Sequence, residues 1–408
     1  MSATLPLKEE GLLYLVYILT LLNLEVVHMS ASSQSPKGDG SPQTISMNTV
    51  KKAVAIAVQT KLPVLLWGMP GVGKTSFVRQ LAEKLGWHAE TVIASLRDPT
   101  DFAGLPVQTK DGVAFLPPSW AKRLKESAPK ALLFLDEINT APPAVQAALL
   151  RVVLEKVVGD VELGEVSVIA AANPPEISAG GWDLAAPLAN RFIHINWDKI
   201  VQPSEIIAGL ATGKWSDMDD GVPVVPENWQ EYMPGARAEI AAFLNARPTL
   251  IAQRPKEDQL AFPTPRTWEM AAKLLAACRA AKVEEKVAFE LVAGTVGEGP
   301  AIEFFKWRDE IDLPNPEELL ENPEKVKDYD LTRQDKAFAI SIAVVSSVLN
   351  NFTEDRCKSA WQVINYMLDS VEKDVLAPAA KQLITQTMTK TKYRPRDVLI
   401  KFADLVVE

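Results

Sequence analysis

The sequence predicts an α/β domain built on a parallel sheet, followed by a half that is entirely helical, and three observations lead there. From Asn48 to about Trp197, short apolar strand-like runs alternate with helical patterns, the signature of a parallel sheet covered by helices. Beyond Trp197 helical periodicity continues with no strong strand between the segments. The composition, 408 residues with 47% hydrophobic and 23% charged, is that of a globular chain with apolar material for two or three packed domains. No internal repeat breaks up either half.

Read in order, residues 1–45 stand apart. Leu12 to Leu24 is an apolar run of about 13 residues, short of the roughly 20 that span a bilayer as a helix. Its flank of Lys8, Glu9 and Glu10 is acidic where a signal peptide is basic, and no small-residue cleavage site follows, so a membrane role is not expected. The alternatives are a docked helix or an upstream extension, with Met29 or Met47 as the natural start. Ser30 to Thr44 is Ser/Gly/Pro-rich and reads as a flexible linker, so the first domain is expected close to Ser46.

Residues 46–200 form the predicted α/β domain, with strands at Leu62–Trp67, Glu90–Ser95, Ala131–Leu135, Val166–Ala171 and Phe192–Asn196. Helices are expected at Lys74–Leu85 and, opening on proline, at Pro142–Val158. Residues 201–300 read as a helical lid, from Ser204–Leu210, Ala236–Leu244, Thr267–Ala280 and Glu284–Ala293, with a long loop between Thr212 and Pro234. Residues 301–408 read as a further helical region, with an exposed connector over Asp312–Asp330 and helices at Asp335–Leu349, Lys358–Val375 and Pro378–Met388.

Charge and cysteines narrow the function classes. A net charge of −9 argues against a surface built mainly to neutralise phosphate backbones, so nucleic acid is not the expected partner. The two cysteines, Cys278 and Cys357, lie far apart with no metal-ligand spacing, which points to neither a disulfide framework nor a zinc site and fits a reducing, cytoplasmic setting.

The strongest motif is Gly68-Met69-Pro70-Gly71-Val72-Gly73-Lys74-Thr75, a complete G-x-x-x-x-G-K-[ST] placed after a buried strand and before a helix. Its glycines let backbone N–H groups converge on phosphates, and the helix beginning at Lys74 and Ser76 adds its positive end. Lys74 is expected on the β- and γ-phosphates of ATP and Thr75 on Mg²⁺. Further on, Leu132-Leu-Phe-Leu-Asp136-Glu137 is an apolar strand ending in two carboxylates. Asp136 is expected at the metal and Glu137 as the general base on the attacking water.

With these motifs the chain resembles the AAA+ superfamily and, more narrowly, its MoxR-like branch of prokaryotic ring ATPases, over roughly Val50 to Ala293. Val168-Ile-Ala-Ala-Ala-Asn173-Pro174-Pro175 resembles the sensor 1 strand, which implies that Asn173 orients the attacking water. Leu188-Ala-Asn-Arg191-Phe192 resembles the element that sends an arginine finger into the neighbouring subunit, a task suited to a planar, permanently charged group. Phe262-Pro-Thr-Pro-Arg266 resembles the sensor 2 start of a lid helix, which implies that Arg266 reaches back to its own subunit's nucleotide. Asp98–Pro106 with Ala114–Trp120 resembles the branch's second-strand insertion, and Lys156–Leu163 the hairpin ahead of sensor 1, its Gly159-Asp160 being turn chemistry.

The resemblance implies a homo-oligomeric ring, expected to be a hexamer, that remodels a protein client. It also implies a von Willebrand A domain partner; no D-x-S-x-S run occurs here, so that domain would sit on a separate chain. Two rivals remain at the level of sequence: a nucleic-acid motor or loader, disfavoured by the acidic balance, and an ATP-gated scaffold with little turnover, disfavoured because Lys74, Glu137 and Arg191 are all present.

Overall fold

The computed structural model describes residues 47–402 apart from 175–181, 183, 199–202, 214–220, 256–258 and 312, and not the side chains of 203–205. The expected N-terminal segment and linker, Pro175, and 214–220 of the expected loop lie outside the described residues. The α/β half runs α1 (Met47–Gln59), β1 (Val64–Trp67), α2 (Lys74–Leu85), β2 (His88–Ile93), α3 (Thr100–Ala103), β3 (Leu105–Thr109), β4 (Gly112–Leu116), α4 (Ser119–Ser127) and β5 (Ala131–Asp136). It continues through α5 (Pro143–Glu155), β6 (Val157–Val158), β7 (Val161–Glu162), β8 (Ser167–Ala172), α6 (Ala186–Ala189) and β9 (Ile193–Asn196).

Five strands form one parallel sheet in the order β2-β5-β8-β1-β9. Because side chains alternate across a pleated strand, a sheet buried on both faces needs an unbroken apolar run. Here Val64, Leu66, Leu132, Phe134, Ile169 and Ala171 pack into one core with α1 and α2. Leu65, Leu133, Leu135, Val168 and Ala170 pack into the other with α4 and α5. The stretch that resembles the branch's second-strand insertion contains a two-stranded antiparallel ribbon of β3 and β4 that carries Leu105, Val113, Phe115 and Leu116 exposed.

The helical half comprises α7 (Pro203–Thr212), α8 (Met233–Ala246), α9 (Pro265–Ala280), α10 (Glu285–Val296), α11 (Glu298–Ile311), α12 (Pro316–Glu321), α13 (Gln334–Asn350), α14 (Glu354–Met367), α15 (Lys373–Lys390) and α16 (Arg396–Lys401). Phe243, Trp268, Phe304 and Trp307 form an aromatic nest with ring centroids 5.3 to 6.3 Å apart, so α11 shares its core with α8 and α9. A separate core gathers α12 to α16 around the fully buried Trp361, whose indole N–H donates to Thr387 Oγ1 at 3.0 Å. Helix α13 joins the two, with Ala339 in the first core and Ala337 and Ile340 in the second. Both cysteines are buried and free, and no described helix is long and apolar enough to cross a membrane.

Four expectations are corrected or refined, each by local chemistry. The helix expected through Val158 ends at Glu155, because Lys156 takes a left-handed φ of 56° and turns the chain into the β6–β7 hairpin. The connector expected over Asp312–Asp330 is largely exposed, as expected, but it is folded into short helices anchored at a few buried positions. Asn315-Pro316 and Asn322-Pro323, read as breakers, are helix starts, and Leu319, Leu320 and Val326 behind them are buried. The helix expected at Lys358–Val375 starts earlier, at Glu354 under a Thr353 cap, and stops at Met367. The one expected from Pro378 begins at Lys373, with Pro378 inside it.

The lid meets the sheet at a tight joint. A Cβ on Gly294 of α10 would lie 2.6 Å from the backbone oxygen of His194 on β9 and 3.0 Å from Ile193 Cγ2. Gly294→Ala is therefore expected to force α10 off the sheet edge and to cost about 1–3 kcal/mol, as overpacking does. Urea denaturation checks this, and an unchanged midpoint would show that the joint yields without strain.

Candidate nucleotide site

The candidate site is assembled at the carboxyl ends of three hydrogen-bonded neighbours, β5, β8 and β1, where open α/β sheets bind ligands. Gly68 follows Trp67 at the end of β1, Asp136 ends β5, and Asn173 follows Ala172 at the end of β8. Gly71 and Gly73 have φ of 83° and 89°, conformations that L side chains rarely adopt, and Gly73 is the N-cap of α2. The Gly73 N-cap offers no side-chain acceptor to the first N–H groups of α2.

Lys74 is buried, and its Nζ donates to the carbonyl oxygens of Gly68 (2.5 Å) and Met69 (2.9 Å) and to Asn173 Oδ1 at 3.4 Å. Burial pushes its pKa down, while the carboxylates of Asp198 and then Asp136 oppose that shift. Thr75 Oγ1 donates to Asp136 Oδ2 at 2.9 Å, so a hydroxyl and a carboxylate converge at the foot of the loop, a set of hard oxygen donors that fits a Mg²⁺ ion. Glu137 is exposed and held in a left-handed backbone conformation, φ 55°, a strained placement for a non-glycine residue of the kind that gathers at functional sites. Met69, Pro70 and Ser76 are exposed around the loop, and Val72 is half-buried.

The two arginines sit apart from this cluster in sequence. Arg191 lies in the turn after α6, where its Nη1 donates to the backbone oxygen of Pro187 and its buried Nε has no partner among the described residues. Burial and then the nearby Arg266 lower its pKa, which brings the two cations within Coulombic reach of each other. Arg266 is exposed in the first turn of α9, whose start is fixed by a reciprocal cap: Thr264 Oγ1 accepts from Thr267 N at 3.2 Å, and Thr267 Oγ1 accepts from Thr264 N at 2.8 Å.

Several residues that the sequence reading did not single out belong to the same neighbourhood. Ser95 Oγ donates to Glu137 Oε2 at 2.7 Å from the end of β2. Asn139 braces Asn173 from both sides, donating Nδ2–H to its oxygen at 2.8 Å and accepting its N–H at 3.2 Å. Asp198, just past β9, accepts the Met69 N–H with both carboxylate oxygens, at 2.8 and 3.1 Å, and a Cβ at Gly68 would meet its Oδ1 tightly, at 3.0 Å. The signal for Asn139 was present, a polar residue close behind the acidic pair. Ser95 and Asp198 carry none, since single polar residues at strand ends are commonplace.

His194 on β9 is fixed as a neutral tautomer. The Trp67 indole N–H can only donate, so His194 Nδ1 accepts it at 2.9 Å and Nε2–H donates to the Ala189 oxygen at 2.9 Å. Burial pushes its pKa down to about 4, with the Ala189 carbonyl opposing. Its unfolded value is near 6.5, so between about pH 6.5 and 4 the unfolded chain binds the proton and the folded chain does not. Stability is expected to fall by up to about 3 kcal/mol as pH drops through that window. His194→Gln should flatten that part of a urea-midpoint profile, and an identical slope in the variant would place the effect elsewhere.

A phosphate-loop motif after β1 of a parallel sheet, an acidic end on β5 one strand beyond its neighbour β8, and a helical region behind them are the features of an AAA+ fold. Residues 63–192 match the AAA domain of the dynein-related subfamily. The chain is 31% identical over 163 residues to the Holliday junction branch migration complex subunit RuvB of Synechococcus sp. (strain CC9605), covering 36% of this chain and 41% of that one. It is 34% identical over 106 residues to protein MoxR of Methylorubrum extorquens, 26% of this chain and 30% of MoxR. It is 26% identical over 161 residues to midasin of Giardia intestinalis, 37% of this chain and 3% of midasin. The chain thus spans less than half the length of each of these relatives. Residues 63–192 thus carry an AAA domain similar to those of the dynein-related subfamily, and over about a quarter of its length the chain is similar to MoxR.

Proposed function

We propose that this chain hydrolyses ATP in a ring of its own copies, expected to be a hexamer, and that the ring works on a protein client. The observation that carries this is the convergence of Thr75 Oγ1 and Asp136 Oδ2, 2.9 Å apart, beside the buried Lys74 ammonium and next to the carboxylate of Glu137. When bound, Mg²⁺ would be held by Thr75 and Asp136 and would supply charge neutralisation at the phosphates.

The chain's own groups account for the rest of the chemistry. Backbone N–H groups of Gly71 to Thr75 bind the phosphate oxygens, and Lys74 neutralises the β- and γ-phosphates. Glu137 takes the proton of the attacking water as its oxygen bonds to the γ-phosphorus and the bond to the β–γ bridging oxygen breaks, releasing ADP. Asn173 orients that water. Arg191, offered to the next protomer, and Arg266, in the same one, meet the charge that develops. Ser95 holds Glu137 Oε2 on the β2 side, a hydrogen bond that competes with the attacking water for the base.

Similarity to RuvB, a subunit of a Holliday junction branch migration complex, favours a nucleic-acid reading, but the net charge of −9 supports a protein client instead, and a von Willebrand A domain protein on a separate chain is the partner we expect. A cytoplasmic setting is part of the same proposal.

Variants assayed at a concentration where the ring is assembled test the roles. Glu137→Gln is expected to lower kcat by about 10²-fold or more while ATP affinity stays within a few-fold, and Arg191→Ala by about 10³-fold. Lys74→Ala should lose nucleotide binding itself. Ser95→Ala should keep binding and raise kcat severalfold. Wild-type turnover in Glu137→Gln would remove it as the base, and unchanged turnover in Ser95→Ala would make its hydrogen bond incidental.

A further inference from the structure

The arginine that the proposed ring offers to its neighbour is not held by its own surroundings. Arg191 rests its Nη1 on Pro187 O and leaves its Nε buried without a partner among the described residues, so its position follows the backbone of α6. That helix is four residues long, a single turn that cannot hold its shape alone. Leu188 and Ala189 pack it into the core, Gln146 Oε1 accepts the Ala185 N–H at its start at 3.3 Å, and two more hydrogen bonds from outside fix its C-terminal end, next to Arg191. Ala189 O accepts from His194 Nε2–H at 2.9 Å, and Asn190 Oδ1 accepts from Thr264 Oγ1, the lid-helix cap, at 3.3 Å.

His194 faces the other way as well. Its Nδ1 accepts the Trp67 indole N–H at 2.9 Å, the two rings lie within 19° of parallel, and Trp67 is the residue immediately before Gly68. Trp67 O accepts the N–H of Trp197 at 2.6 Å, and Trp197 Nε1–H donates to Val72 O at 3.2 Å, inside the phosphate loop. A continuous run of hydrogen bonds thus leads from Val72 through Trp197, Trp67 and His194 to Ala189, two residues from Arg191. Every link crosses between chain segments, and the imidazole is the one side chain in the run that donates and accepts at once.

We infer that His194 is a positioning residue that ties the phosphate loop of one protomer to the arginine it presents to the next. This rests on the ring-ATPase reading. A phosphate loop that shifts when nucleotide enters or leaves moves Trp67 and Trp197, and through His194 the turn that carries Arg191. The chemistry demands a side chain that accepts on one side and donates on the other. Glutamine has both functions; phenylalanine fills the space and has neither.

The test compares His194→Phe, His194→Gln, Trp67→Phe, Arg191→Ala and the double variant His194→Phe/Arg191→Ala. Fluorescent-nucleotide binding and light scattering are measured beside steady-state ATP hydrolysis. His194→Phe and Trp67→Phe are expected to bind nucleotide within about threefold of wild type and to assemble, yet to lose about tenfold in kcat. The double variant should turn over no more slowly than Arg191→Ala alone, because both changes act on one group. His194→Gln should restore most of the rate. A wild-type rate in His194→Phe, or losses that multiply in the double variant, overturns the inference while leaving the ring ATPase intact. Full activity in Arg191→Ala instead overturns the finger and the inference with it. Should His194→Phe fail to fold, Trp67→Phe combined with Arg191→Ala decides the matter by the same additivity.

Discussion

The parallel pairing of β1, β8 and β5 is the constraint on which the rest depends. In register, Trp67 pairs with Ala172 and Leu135 with Ala170, so Gly68 and Asn173, which follow their strands, and Asp136, which ends β5, emerge together at one edge. Parallel strands end together, whereas antiparallel strands would alternate starts and ends along the same edge. Burying both faces of the sheet fixes that register, because a slip by one residue would exchange the contents of the two cores, Val64 and Leu66 on one side and Leu65 on the other. The glycine loop, the Asp136 carboxylate and the Asn173 amide, the groups proposed for phosphate, metal and water, are thereby brought to one edge by the strands themselves.

From that edge the geometry spreads outward through β9. The strand lies on the free side of β1, and its last residues and the corner that follows do three things at once. His194 ties Trp67 to α6, Trp197 and Asp198 grip the phosphate loop, and the His194 carbonyl packs against Gly294 of the lid. The lid is therefore joined to the strand that flanks the loop rather than to the loop itself. A tight joint of this kind transmits rigid-body movement of α10 better than a solvated one would, since packed interfaces shift between discrete arrangements.

Much of the site was legible in the sequence because its signals are local. A glycine pattern between an apolar run and a helix specifies the phosphate loop by backbone conformation, and an apolar run ending in Asp136-Glu137 specifies a strand tip. Both appeared where they were expected, and the helix Lys74–Leu85 matched to the residue. What was not legible depends on partners distant in the chain. Ser95 meets Glu137 only because β2 pairs with β5, and Asp198 meets Met69 only because β9 pairs with β1. In the C-terminal half the failures came from turn chemistry with two meanings. Asn315-Pro316 and Asn322-Pro323 break one pattern and start another, and only the burial of Leu319, Leu320 and Val326 shows which. A cavity of about 840 Å³ between α8, α12 and α13, beside the ion pairs Arg279–Glu239 and Arg356–Glu317, likewise exists only in the folded chain.

The central claim is that one protomer holds an incomplete site which its neighbour completes. The most direct measurement is specific ATPase activity of the unmodified protein as a function of its concentration, with light scattering on the same samples. The account predicts that activity per chain rises in step with assembly and is close to nothing in the monomer. Activity per chain that is already full in the monomer, and flat as the ring forms, would contradict it.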